Sequence, residues 1–149
     1  MKTLAVGTVA LLLTMLVGTA LAARPPAGAR YAGTTGQARA ITLRVTSDRR
    51  GLQMAFRQTL DCNRGPSKTS SASFDRQRPT IKADGTFSYA RTFELGPAPG
   101  FAEPHTERQR ITGAFSADRR TVRGRIATTV TGRSGLTCKV SMRFRATRR

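Results

Sequence analysis

Residues 111–144 read ITGAFSADRRTVRGRIATTVTGRSGLTCKVSMRF. Ile111, Gly113 and Phe115 alternate with polar or small neighbours, and Ser116-Ala117-Asp118-Arg119-Arg120 supplies a turn. Val122, Gly124, Ile126, Thr128 and Val130 alternate back. A second turn at Gly132-Arg133-Ser134-Gly135 leads into Leu136, Cys138, Val140, Met142 and Phe144. A period of two over three consecutive segments, punctuated by Asp- and Gly-centred turns, predicts an antiparallel β-meander with one face buried. Glycines at two inward positions, 113 and 124, predict either bulges or places where an aromatic ring lies over the backbone.

The same grammar extends upstream. Ile41, Leu43 and Val45 alternate, Ser47-Asp48-Arg49-Arg50-Gly51 turns, and Leu52, Met54, Phe56, Leu60 and Cys62 share one phase. Asn63–Ser73 reads as a long polar loop. After Ala83-Asp84-Gly85-Thr86 comes a strand with Phe87, Tyr89, Phe93 and Leu95 in phase. Arg91 shares that phase, so the strand either ends near Ala90 or carries a bulge. Gly96–Pro104, with three prolines, reads as a second long loop. The three Asp-centred turns recur about 35 residues apart. Asp suits turns wherever they occur, and that explanation is preferred to duplication of a hairpin unit. No stretch beyond residue 30 sustains a helical apolar stripe. The expected fold is all-β, an antiparallel sandwich or small barrel of seven to nine strands.

Cys62 and Cys138 fall in inward phase on different strands, 76 positions apart. That agreement predicts a buried bridge joining two strands, and with no Cys-x-x-Cys or Cys-x-x-His spacing it disfavours a zinc knuckle.

At the start of the chain, Lys2 precedes an apolar run from Leu4 to Val17, then Ala20-Leu21-Ala22 and an abrupt switch at Arg24-Pro25-Pro26. A positive start, an apolar centre and a small-x-small site predict a cleaved signal peptide over 1–22 and a secreted or periplasmic protein. An uncleaved membrane anchor is the alternative. Residues 23–30 then read as a flexible leader, and 31–149 as one all-β domain.

The chain has 26 basic and eight acidic residues, a formal charge of +18. Loss of the signal segment would remove only Lys2 and leave +17. GC-rich coding explains 22 arginines against four lysines, but not the scarcity of acids. A field of this size attracts polyanions. Arg44, Arg57, Arg123, Arg125, Arg143 and Arg145 all sit opposite the apolar phase of their strands. They are the candidate polyanion-binding residues. There is no Trp, and most Phe residues lie in the inward phase, which disfavours base stacking and sequence-specific reading of nucleic acid.

Catalytic resources are sparse. His105 is the sole histidine, flanked by Glu103 and Glu107 in what reads as loop, so a solvated cluster is expected. No residue set calls for a metal or other cofactor.

Tyr31-Ala32-Gly33-Thr34-Thr35, Asp84-Gly85-Thr86-Phe87-Ser88, Gly113-Ala114-Phe115-Ser116 and Val122-Arg123-Gly124-Arg125-Ile126, with the two cysteines, form a layout across most of the mature chain. It resembles that of uncharacterised exported small β-proteins of GC-rich bacteria. The resemblance implies the same fold and no particular activity. Three functional classes follow. The leading one is a non-enzymatic binding protein that meets an anionic polymer or membrane surface through charge. The second is a protein–protein module or inhibitor using loops Asn63–Ser73 and Gly96–Pro104. The third is a hydrolase built on His105 or a carboxylate pair.

Overall fold

The computed structural model describes residues 24–149. The segment read as a signal peptide lies outside them. Nine strands follow in order: β1 (Arg30–Thr35), β2 (Ala40–Val45), β3 (Leu52–Cys62), β4 (Lys68–Phe74), β5 (Thr80–Ile81), β6 (Thr86–Leu95), β7 (His105–Phe115), β8 (Thr121–Gly132) and β9 (Thr137–Arg148). Every pairing is antiparallel, and the sheet runs β4-β3-β2-β1-β9-β8-β7-β6-β5.

A second pairing, between β3 and β9, turns part of this sheet into a barrel. Asp61 faces Lys139 and Cys62 faces Cys138, closing β3-β2-β1-β9 into a four-stranded cylinder. Cys62 and Cys138 are joined by a disulfide at that seam. The other strands curl back over the same core: β5 meets the start of β3 through the Gly51–Thr80 bridge, and Phe74 of β4 packs on Tyr89 of β6. The β7-β8-β9 meander is the longest part, with eleven consecutive partner pairs in each of its two ladders.

Alternation explains the burial. Ile41, Leu43, Val45, Leu52, Met54, Phe56, Ile111, Phe115, Val122, Ile126, Met142 and Phe144 form the main core. Leu60, Val130 and Cys138 form a smaller cluster beside the seam. Gly113 pairs with Gly124 in an unbroken register, so no bulge occurs there. The alternative expectation applies: a Cβ on Gly113 would come within 2.3 Å of the Phe87 ring, and one on Gly124 within 2.6 Å of the Phe144 ring.

The tight turns follow two plans. Thr35–Arg39, Lys82–Thr86 and Gly132–Leu136 each enclose three residues, with Ala38, Gly85 and Gly135 at positive φ. Such loops place one left-handed residue where the chain re-enters the ladder. Thr46–Gly51 and Ser116–Thr121 are longer by one residue, and they share a hydrogen-bond pattern. In each, the first hydroxyl donates to the Asp two positions on and accepts from the backbone N–H that closes the turn. The Asp then accepts from the backbone two residues further. The central Asp84 turn is of the shorter kind, so the threefold echo in sequence joins two unlike structures.

Two readings of the chain are corrected. Residues 68–73, the second half of the loop expected over Asn63–Ser73, belong to β4; its Thr and Ser residues make a half-exposed strand whose polarity hid it. β6 neither stops near Ala90 nor bulges, since all ten residues from Thr86 to Leu95 pair in sequence with β7. Arg91 fits because the strand outruns the core, and its side chain is exposed. Ahead of β1, Pro25 and Ala29 are buried, and Gly28 N donates to Val45 O.

Candidate anion-binding face

The outward side of the β8–β9 hairpin carries the densest charge. Arg123 lies directly opposite Arg145, and Arg125 directly opposite Arg143. All four are exposed. Directly opposed residues hold their Cβ atoms about 4.5–5.5 Å apart. At about 5 Å in bulk water, two unit charges repel by about 0.8 kcal/mol, so the guanidinium groups gain by splaying or by meeting an anion.

Neighbouring strands enlarge this array. Arg110 and Arg108 occupy alternate outward positions on β7, opposite Ala127 and Thr129, and Lys139 lies on β9 across from that same Thr129. Small and hydroxylated residues fill the gaps: Thr112 is opposite Arg125 and Ala114 opposite Arg123. Arg125 Nε donates to Ser141 Oγ at 2.9 Å, which orients one member of the quartet. With Thr34, Thr35 and Gly36, three of the four arginines (Arg123, Arg143 and Arg145) border a shallow apolar notch of about 330 Å³. Asp61 stands opposite Lys139 across the barrel seam and accepts from the Ser67 hydroxyl.

The array continues along β9 towards the C-terminus. Lys139, Arg143, Arg145 and Arg149 are all exposed and share an alternating phase, so outward positions recur about every 6.8 Å. Arg149 N donates to Arg30 O, and Arg30 is opposite Arg44. Arg30, Arg44, Arg148 and Arg149 line a groove of about 740 Å³, together with Gln53, Ser73 and one acid, Asp75. The cations thus form a line that begins on β7–β9 and runs into this groove.

Of the six arginines singled out from sequence, the structure brings Arg123, Arg125, Arg143 and Arg145 into one quartet. Arg44 belongs to the groove at the end of the line. Arg57 stands apart on β3, opposite Ser71. Arg108 and Arg110 were missed because the alternation was traced back only to Ile111, whereas β7 starts at His105. Extending the same phase six residues would have found them.

The His105 cluster does not form as expected. His105 is a buried strand residue, 5 % exposed, with its ring stacked on Phe101 at 4.8 Å. Its Nδ1 lies 3.1 Å from Glu103 O. The Glu103 carboxylate turns away and accepts from the Ser134 hydroxyl at 2.5 Å and the Ser134 N–H at 2.9 Å. Those bonds hold its carboxyl below the usual range. Glu107 faces inward and accepts from the Gln109 side chain. The three groups are separately engaged, and the local geometry sets no base–acid pair around His105.

No protein-family model, curated protein or solved structure matches the chain.

Proposed function

We propose that the mature protein is an exported, non-enzymatic binding protein that associates with an anionic polymer or anionic surface through the outward face of β7–β9. One observation carries the reading: two arginine pairs stand in direct register on adjacent exposed strands. Like-charge pairs of this kind oppose folding in isolation and become favourable when an anion lies between them. The overall excess of positive charge would speed encounter, and the line along β9 would favour a linear ligand over a single small anion.

The test uses the full oxidised mature chain with a linear polyphosphate and with vesicles containing anionic lipid. Replacing Arg123, Arg125, Arg143 and Arg145 by Gln weakens binding at least about tenfold at moderate salt, while circular dichroism shows an intact fold. Arg57→Gln serves as a control of the same chemistry, and it leaves affinity within about twofold because Arg57 lies off the array. A loss per removed charge as large in Arg57→Gln as in the fourfold variant would reduce the effect to net charge and refute a dedicated face.

A further inference from the structure

We infer a second binding site: the free edge of β4 and the cleft beside it accept an extended segment of a partner polypeptide, added as a further strand, with a basic side chain directed towards Glu107. This site shares Ser73 and Asp75 with the arginine-lined groove but none of its arginines, and it does not depend on the arginine quartet.

The edge comes first. β4 ends the sheet and pairs only with β3, so one side of its backbone has no strand partner among the described residues. Edges are ordinarily blunted by charge, proline, a bulge or extreme shortness. The opposite terminal strand, β5, has two residues, and the stretch of β6 beyond it carries Arg91 and Glu94. Over Thr69–Phe74, β4 has none of these protections: Thr-Ser-Ser-Ala-Ser-Phe is uncharged and free of proline and glycine. An unprotected edge is a template for strand addition.

The cleft supplies what an added strand would need. It measures about 560 Å³ and separates Ser71–Gln77 from Tyr89, Phe93, Leu95, Glu107 and Gln109. Leu95, 40 % exposed, is the sole large apolar side chain that stands open among the described residues, and it lines this wall. Tyr89 is 8 % exposed and set edge-on to Phe74 at 5.1 Å. Its hydroxyl is buried with no hydrogen-bond partner. A buried hydroxyl left unpaired is costly, and an incoming acceptor would recover that cost.

Charge selects the occupant. Three charged residues border the cleft: Glu107 and Asp75, two of only eight acids in the chain, and Arg76, which stands next to Asp75 and leaves Glu107 as the acid for the occupant. Alternate side chains of an added strand would face it. Apolar residues suit Phe93 and Leu95, and a lysine or arginine between them suits Glu107.

The probes are two blocked heptapeptides, Thr-Val-Thr-Lys-Thr-Val-Thr and the same sequence with Glu in place of Lys. The field of the whole protein favours the acidic peptide, so a preference for the basic one must come from the cleft. Calorimetry with the oxidised mature chain should give saturable binding of the Lys peptide, at least about tenfold tighter than the Glu peptide. That preference should vanish in Glu107→Gln. Tyr89→Phe, which keeps the ring, should weaken the Lys peptide several-fold without lowering Tm. Amide exchange should slow along β4 on binding. The inference is overturned by no saturation with either peptide into the millimolar range. Tighter binding of the Glu peptide, or a Lys preference that survives in Glu107→Gln, would also overturn it. Concentration-dependent protection of β4 without peptide would assign the edge to a second copy of the chain instead.

Discussion

The barrel seam makes a quantitative demand on the disulfide. β3 and β9 meet through two residue pairs only, and one of them is the bridged pair Cys62–Cys138. Replacing both cysteines by Ala frees a loop of 76 positions in the unfolded chain. The chain-entropy relation then gives a loss of about 4.5 kcal/mol at 25 °C. Cys138 is wholly buried and packs with Leu60 and Val130, so truncating it adds a small cavity cost to the entropic one. Natural domains have about 5–15 kcal/mol to lose, so the variant should sit near the edge of folding. Urea titration followed by far-ultraviolet circular dichroism measures the difference, and the wild-type chain kept reduced is the matched control. Both should lose about 3–5 kcal/mol, with a larger m-value because the unlinked unfolded chain exposes more surface. A loss below about 1 kcal/mol in both would show that the two-pair seam does not rely on the bridge.

Gly124→Ala tests the steric account of the inward glycines. Its Cβ would fall 2.4 Å from Thr112 O on the neighbouring strand, so a cost of about 1–3 kcal/mol is expected in the same titration, and a neutral result would contradict it. Acid stability tests the turns. The Ser116 hydroxyl, with the Arg120 N–H, holds the Asp118 carboxyl below its ordinary value, and Thr46 and Arg50 do the same for Asp48. A depressed folded pKa contributes stability that is fully present above the unfolded value, about 3.9, and is lost as pH falls through the folded one. Thermal stability should therefore drop below about pH 4, and Asp118→Asn should flatten that drop while lowering stability at neutral pH. An identical acid profile in Asp118→Asn would contradict the hydrogen-bonded turn.

Much of this fold was legible because alternation and turn chemistry agreed. Residues 111–144 announced β7, β8 and β9, and the inward phase of Cys62 and Cys138 announced the bridge. Other features failed for identifiable reasons. β4 hid because Thr and Ser mimic loop composition, and a half-exposed edge strand needs no apolar alternation. His105 looked solvated because nothing local foretells a ring from the proline loop, Phe101, stacking on it. The arginine quartet was half legible. Outward phase is a property of each strand, but the opposition of Arg123 to Arg145 and Arg125 to Arg143 depends on register, fixed by the length of the Gly132–Leu136 turn. The groove at Arg30 and Arg44 was not legible at all, because it needs the chain end to return beside β1.

The most direct test of the central claim is the salt dependence of polyphosphate binding in the wild-type chain and in the variant with Arg123, Arg125, Arg143 and Arg145 replaced by Gln. Each phosphate contact neutralised by a cation contributes about 0.7–0.9 to the slope of log K against log salt. Losing four contacts should therefore make the slope shallower by about 3, with the remaining binding still carried by the rest of the line. A variant whose slope matches the wild type would contradict the account, because the quartet would then lie outside the contact.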